Sequence, residues 1–176
     1  MSQVVKYYYT KLEKYEKEGL DSMDWAEWAG YDIYLDIVEN MTLEDWNYIK
    51  KTYQNKSDNF KSLLANNIWL DKILFTDIKL DILTEMIMNE KIDVAYEAIS
   101  QITFRFVTSG KNHIKELKGV FLSVKKEYLI NKYFTKSFLN KVILIANECG
   151  EFQKNGIYKF LEIIDKENTI LNINNN

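Results

Sequence analysis

Residues 18–49 read EGLDSMDWAEWAGYDIYLDIVENMTLEDWNYI, and this stretch decides which fold class we expect. It holds nine carboxylates and three of the four tryptophans, whereas all 23 bases lie elsewhere in the chain. Acid-rich blocks are often disordered tails, but such tails are poor in the Ile, Leu, Val, Tyr and Trp that are interspersed with the acids here. We therefore expect this stretch to be folded, acidic and rich in aromatic side chains.

Helical signals continue from this stretch in both directions. The chain has no proline to interrupt a helix, and its six glycines fall mostly where helices should end. The clearest helix start is Thr42, with Asp45 three residues later, although a capping box prefers Glu or Gln at that position. Met41 is placed to pack on Trp46, which would staple the start of the helix. No segment alternates strictly between apolar and polar residues, so strands are not expected.

Apolar residues at helical spacing predict eight or nine helices joined by short loops. Besides the helix after Thr42, the predicted segments are approximately 3–18, 22–40, 58–68, 77–88, 93–108, 112–133, 136–149 and a last helix ending near 168. Residues 69–75 either continue the preceding helix or form a separate turn. Short loops favour antiparallel neighbours, so we expect an all-α fold of helical hairpins in a bundle-like or HEAT-like stack. It forms one domain over 1–168, followed by a flexible Asn-rich tail over 169–176.

The composition predicts a cytoplasmic protein without membrane contact. No apolar run approaches the roughly 18 residues that a membrane helix needs, and the first residues become charged too early for a secretory signal. The single Cys149 excludes an internal disulfide and suits a reducing compartment.

Residues suited to catalysis or metal binding are sparse. His113 is the only histidine and Cys149 the only cysteine, too few for an ordinary zinc site with four ligands. Cys149 ends an apolar run, where a buried inert thiol is commoner than a nucleophile paired with a histidine. Carboxylates are numerous enough for a glycosidase or a carboxylate metal site, but acids at every helical phase are usually a solvated face. We predict no catalytic residues, metal site or cofactor, and keep a carboxylate-dependent enzyme as the third hypothesis.

The predicted helix over 22–40 has two faces of different character. One face is apolar and includes the small residues Ala26, Ala29 and Gly30, which would let a neighbouring helix come close. The opposite face combines tryptophans, which are frequent binding hot spots, with carboxylates that steer basic partners. The partner-binding residues that we predict are Asp24, Trp25, Glu27, Trp28, Asp32, Asp36 and Glu39. The alternative is that Trp25 and Trp28 pack against neighbouring helices.

Lysines are concentrated later in the chain. The region 111–141 carries eight of them, at positions 111, 115, 118, 125, 126, 132, 136 and 141. Such a strip can contact nucleic-acid phosphates. However, the chain has a net charge of −3, a pI near 5.4 and a single arginine, Arg105, which favour a solvated helix face instead. We expect neither a nucleic-acid partner nor a small-molecule cofactor.

A small, acidic, all-helical chain with the stretch DWAEWAGYDIYLD at 24–36 resembles the helical, HEAT-like immunity proteins of bacterial polymorphic and contact-dependent toxin systems. The resemblance lies in size, helical layout and acidity. It implies a protein that binds a cognate toxin domain, often a basic nuclease, and blocks its active site. Our first hypothesis is therefore an immunity protein that neutralises a toxin through the acidic, Trp-rich surface. The second is a helical scaffold or regulatory adaptor that contacts nucleic acid through the lysines of 111–141.

Overall fold

The computed structural model describes residues 1–19, 40–68, 76–108 and 132–174. These ranges form seven α-helices and a 3₁₀ turn at Tyr53–Asn55, and they contain no strand. In chain order the helices are α1 (Gln3–Glu18), α2 (Leu43–Thr52), α3 (Asp58–Asn67), α4 (Thr76–Asn89), α5 (Ile92–Thr108), α6 (Lys136–Glu148) and α7 (Glu151–Asn174). The all-α prediction is confirmed, and seven is slightly fewer than the eight or nine helices expected. The predicted helices over 22–40 and 112–133 and the ambiguous segment 69–75 lie outside the described residues.

Side-chain caps begin four of these helices. The hydroxyl of Ser2 accepts a hydrogen bond from the Val5 amide at the start of α1, 3.2 Å away. Ser57 and Thr135 cap α3 and α6 in the same way. At α2 the full capping box forms, because Asp45 also accepts from the Thr42 amide at 2.9 Å. Each cap satisfies backbone N–H groups that have no partner inside the helix.

Two helix boundaries differ from the sequence prediction. The helix predicted over 93–108 begins one residue earlier, at Ile92, so Asp93 lies inside the first turn of α5. The last helix, expected to end near 168, extends to Asn174. Helical geometry does not measure motion, so the flexibility of 169–176 stays a prediction.

The described helices pack in two layers. Helices α2, α4 and α6 lie side by side in one layer, and α1, α3, α5 and α7 form the other. The central helix is α5, which contacts α3, α4, α6 and α7. One hydrophobic core joins the layers, and every helix supplies a fully buried member: Tyr8, Trp46, Leu64, Leu83, Ile102, Val142 and Phe160. Burying such side chains contributes about 1.5–3 kcal/mol each before the entropy of ordering is subtracted.

Charged groups connect neighbouring helices of the first layer. The ammonium of Lys50 on α2 lies 2.9 Å from a carboxylate oxygen of Asp81 and 2.9 Å from one of Glu85, both on α4. From the other side, the Tyr133 hydroxyl donates a 3.0 Å hydrogen bond to Asp81. These acids are therefore neutralised by neighbouring groups. Among the described residues, no helix is both long and apolar enough to cross a bilayer.

Candidate functional site

The binding residues predicted from the sequence lie outside the described residues. This holds for all seven of them: Asp24, Trp25, Glu27, Trp28, Asp32, Asp36 and Glu39. The described chain stops at Gly19, at the end of α1, and resumes at Asn40, just before α2. The acidic, Trp-rich surface therefore stays a prediction.

Three lysines of the predicted strip are described, namely Lys132, Lys136 and Lys141. The ammonium of Lys132 lies 3.7 Å from a carboxylate oxygen of Asp77 and 4.0 Å from one of Asp81. Its charge is thus partly compensated by α4. This pairing lends no support to a nucleic-acid surface.

Cys149 follows the last residue of α6 and is half-buried. Burial raises the pKa of its thiol, and the negative charges of Asp93 and Glu148 raise it further. The thiol is therefore held in its protonated, unreactive form at neutral pH, because the thiolate is the nucleophile. The other member of the dyad weighed from the sequence, His113, lies outside the described residues.

A polar groove of about 330 Å³ opens on the second layer, beside α5. We call it the Glu97 groove. It lies between the end of α1, helix α3 and helix α5, and its lining residues are Glu16, Gly19, Asn59, Ser62, Leu63, Asn66 and Glu97. On α3, Asn59, Ser62 and Asn66 recur at intervals of three and four residues, so they share one helix face. The groove combines two carboxylates with uncharged hydrogen-bonding groups.

Glu97 is the most unusual group in this groove. Burial raises the pKa of its carboxyl, a side-chain hydrogen bond from Asn66 lowers it in part, and Asp93 one turn earlier raises it again. The Asn66 side chain is oriented by Gln101, whose amide N–H donates to the Asn66 oxygen at 3.1 Å. This leaves the Asn66 NH₂ group to donate to Glu97.

No cation compensates Glu97 within the part of the chain that the structure describes. The contrast with Asp81 and Glu85 on α4 is direct, because both of those acids have a lysine at 2.9 Å. Glu16, the second carboxylate of the groove, accepts a hydrogen bond from the Ser57 hydroxyl. Across the described ranges, no three His, Cys, Asp or Glu side chains gather as a metal site would require.

A second groove, of about 260 Å³, lies on the other side of α5, against α7. We call it the α5–α7 groove. Its lining is more apolar than that of the Glu97 groove and consists of Tyr96, Ile99, Ser100, Thr103, Gly156, Ile157 and Lys159. A methyl group added at Gly156 would meet no atom within 4 Å. The space next to the Gly156 backbone, at the edge of this groove, is therefore open.

Comparison of the chain with known proteins gives no relative. No family model, no curated protein and no solved structure matches it. The two grooves beside α5 are therefore interpreted from their own residues.

The arrangement at the Glu97 groove suits a positively charged group. A carboxylate that has lost part of its hydration is stabilised by a cation that enters the groove and pairs with it. The neighbouring amide and hydroxyl oxygens can accept the remaining N–H bonds of an ammonium or guanidinium group. The groove can therefore hold a lysine or arginine side chain of another protein.

The sequence prediction missed this groove, although one signal was present. Asn59, Ser62 and Asn66 form an uncharged polar stripe on a helix whose other face is apolar, which is unusual for a purely solvated surface. Glu97 itself gives no such signal, because one glutamate among exposed acids looks like any other. Its burial depends on α3 lying against α5, which only the tertiary structure shows.

Proposed function

We propose that this chain is a protein-binding inhibitor of a basic protein partner, acting as an immunity protein towards a bacterial toxin domain. The observation that supports the proposal most strongly is Glu97, a largely desolvated carboxylate that lines an open groove and has no cation among the described residues. A carboxylate kept in that state lowers the stability of the free protein. Groups that lower the stability of the free protein in this way are typical of functional sites, where a bound partner supplies the missing interaction.

The groove also adjoins the acidic stretch in sequence. Gly19 lines the Glu97 groove, and the first residue predicted to bind the partner, Asp24, follows five positions later in the sequence. The groove is therefore next, in sequence, to a segment that carries a large negative charge. Charges around an interface speed association with a basic partner, whereas a desolvated pair inside it slows dissociation.

The layered packing is consistent with a HEAT-like stack. The consecutive helices α4 and α5 pack on each other, as do α6 and α7, and each member of one pair lies beside its counterpart in the next. Stacked helical hairpins present extended surfaces for protein partners. The Glu97 groove and the α5–α7 groove both lie on the layer formed by α1, α3, α5 and α7.

Arginine fits the groove better than lysine. The planar guanidinium offers five N–H donors and can meet a carboxylate with two parallel bonds, whereas an ammonium is a more strongly hydrated point charge. A charge-assisted hydrogen bond contributes about 1.5–3 kcal/mol. Binding through Glu97 is therefore strong enough to matter for an inhibitor.

The experiment uses the protein encoded by the neighbouring reading frame. That protein is expressed in cells together with the chain, with its Glu97→Gln variant, or with the control Glu148→Gln, which changes an exposed glutamate at the end of α6. We expect the neighbouring product to be toxic, the chain and the control to protect, and Glu97→Gln to protect less and to co-purify less with the toxin. A non-toxic neighbour that forms no complex would contradict the proposal.

A further inference from the structure

The two grooves beside α5 share a helix and differ in chemistry. Tyr96 lines the α5–α7 groove, and Glu97, the next residue, lines the Glu97 groove. The polar, acidic pocket and the more apolar one thus lie on different sides of α5 at the same height along the helix. A helix with its side chains is about 10 Å across, so the pockets are about that distance apart.

An exposed aromatic side chain stands near the apolar groove. Phe152 is 89% exposed, the largest exposed fraction among the large hydrophobic side chains that the structure describes. It lies four residues before Gly156 on α7, and this spacing places both on one face of the helix. Aromatic side chains of this kind are frequent anchors in protein interfaces.

We infer that the Glu97 groove and the α5–α7 groove form one recognition surface, which binds a partner segment carrying a basic side chain and, about 10 Å from it, a large apolar side chain. The basic side chain enters the Glu97 groove, and this part rests on the proposed function. The apolar side chain fills the space left by Gly156 and packs beside Phe152. The partner segment is a helix in which the two side chains are seven residues apart, because that spacing spans about 10 Å and keeps both on one helix face.

Lys159 favours one orientation of the bound partner segment over the other. It lines the α5–α7 groove, whereas the carboxylates Glu16 and Glu97 line the other. The surface is therefore negative on one side of α5 and positive on the other. A segment that places its basic residue at Glu97 and an acidic residue beyond its apolar side chain is favoured over the reversed orientation, because like charges would then face each other.

The probe is a display library of random 16-residue peptides, selected on the full chain. Four immobilised proteins are compared: the wild type, Glu97→Gln, Gly156→Leu and Asn155→Leu. Gly156→Leu adds a large side chain to a residue that lines the α5–α7 groove, without a clash at Cβ, and replacing a glycine within a helix favours folding. Asn155→Leu adds the same side chain at the adjacent exposed position, which does not line the groove.

We expect the selected peptides to carry Lys or Arg together with a large apolar residue at a separation of seven. Gly156→Leu should raise their Kd about tenfold and Glu97→Gln by a similar factor, each corresponding to about 1.4 kcal/mol, while Asn155→Leu leaves Kd unchanged. Phe152→Ala should also weaken binding. Melting curves of all variants report on folding, and Gly156→Leu should melt no lower than the wild type.

The outcomes separate the two proposals. If Glu97→Gln weakens binding and Gly156→Leu does not, the shared surface is wrong and the basic pocket stands. If Gly156→Leu weakens binding and Glu97→Gln does not, the basic pocket is wrong and the shared surface fails with it. Selection of no peptide, or of peptides without a basic residue, contradicts both.

Discussion

Gln101 on α5 donates a 3.1 Å side-chain hydrogen bond to Asn66 on α3, and Asn66 in turn lies beside Glu97, one turn earlier on α5. Asn66 offsets only part of the rise in the pKa of Glu97, and it carries no charge that could neutralise the carboxylate. Hydrogen bonds to the charged form recover only part of the free energy lost on burial, which is why the pKa of Glu97 stays raised. Such a partly desolvated carboxylate is suited to bind a cation.

The first prediction concerns the stability cost of this carboxylate. Because the pKa of Glu97 is raised in the folded protein, the stabilising form is the protonated one. That contribution is present below the pKa of an unfolded glutamate, about 4.3, and is lost as pH rises through the folded pKa. Glu97→Gln should therefore raise Tm by roughly 2–4 °C at pH 7, and the difference should shrink towards pH 4.

Thermal melts of the wild type and the variant between pH 4 and pH 8 measure this difference, with Glu148→Gln as the exposed control. Asp93 and Asn66 face Glu97 in both proteins, so their contributions largely cancel. A Glu97→Gln protein that melts well below the wild type at pH 7 would show that the ionised carboxylate stabilises the fold. In that case it is a structural group.

The second prediction concerns the ion pair between Lys61 on α3 and Glu90. The ammonium lies 2.6 Å from the carboxylate, and the two side chains are only 9% and 13% exposed. Removing one member leaves a nearly buried charge without its partner, so Lys61→Ala should lower the free energy of unfolding by about 3 kcal/mol. Urea denaturation measures this value.

The chain offers a matched control for this pair. Lys91 and Asp58 lie 2.5 Å apart, but their side chains are 79% and 40% exposed. Water and salt screen such a pair, so Lys91→Ala should change stability little. Equal losses for the two alanine variants would mean that burial does not determine the strength of these pairs.

The third prediction concerns the start of α2. Asp45 accepts hydrogen bonds from Thr42 and, at 2.5 Å, from the Ser2 hydroxyl at the start of α1. Burial tends to raise the pKa of Asp45, but these hydrogen bonds outweigh it and hold the pKa below its usual value. Asp45→Ala should therefore lower the free energy of unfolding by about 1–2 kcal/mol at pH 7.

The sign of the pH dependence follows from the lowered pKa. The stabilisation by Asp45 is present above the pKa of an unfolded aspartate, about 3.9, and is lost as pH falls through the lower folded value. The difference between Asp45→Ala and the wild type should therefore narrow below pH 4. The neighbouring exposed residue serves as the control, since Glu44→Ala should leave stability nearly unchanged at both pH values. A difference that widens in acid would mean that Asp45 acts in its protonated form.

The fourth prediction concerns nucleic acid. The chain is acidic, and Lys132 is already paired with Asp77 and Asp81. We therefore expect no binding of a short DNA duplex at physiological salt, and only weak binding that disappears steeply as salt is raised. Fluorescence anisotropy across a salt series measures this. Tight binding at physiological salt would favour the adaptor hypothesis over inhibition of a basic protein.

The features that could be predicted from the sequence are those that depend on residues close together in the chain. The caps at Ser2, Thr42, Ser57 and Thr135 lie where helical spacing begins, and each side chain bonds to an amide only three residues away. Met41 and Trp46, which were predicted to pack together at the start of the helix after Thr42, are likewise both buried. These features depend on neighbours in sequence, so they can be recognised without knowing the fold.

The candidate site depends on relationships that cross the sequence. Glu97 meets Asn66 because α3 packs beside α5, and the α5–α7 groove joins residues about sixty positions apart. Gly156 is an example, because a glycine is expected at a helix end, whereas here it lies inside α7 and lines a groove. No local pattern separates such a glycine from one that merely ends a helix.

The central claim is that the Glu97 groove binds a cationic side chain. The most direct test is an NMR titration with Nα-acetyl-arginine methylamide. The citrulline analogue, which has the same shape but no charge, serves as the control. We expect the arginine compound to shift the Asn66 side-chain NH₂ signals and the Glu97 backbone amide in a saturable way. The citrulline compound should not, and Glu97→Gln should abolish the response. Equal shifts with both compounds, no saturable shift, or an unchanged response in Glu97→Gln would contradict the claim.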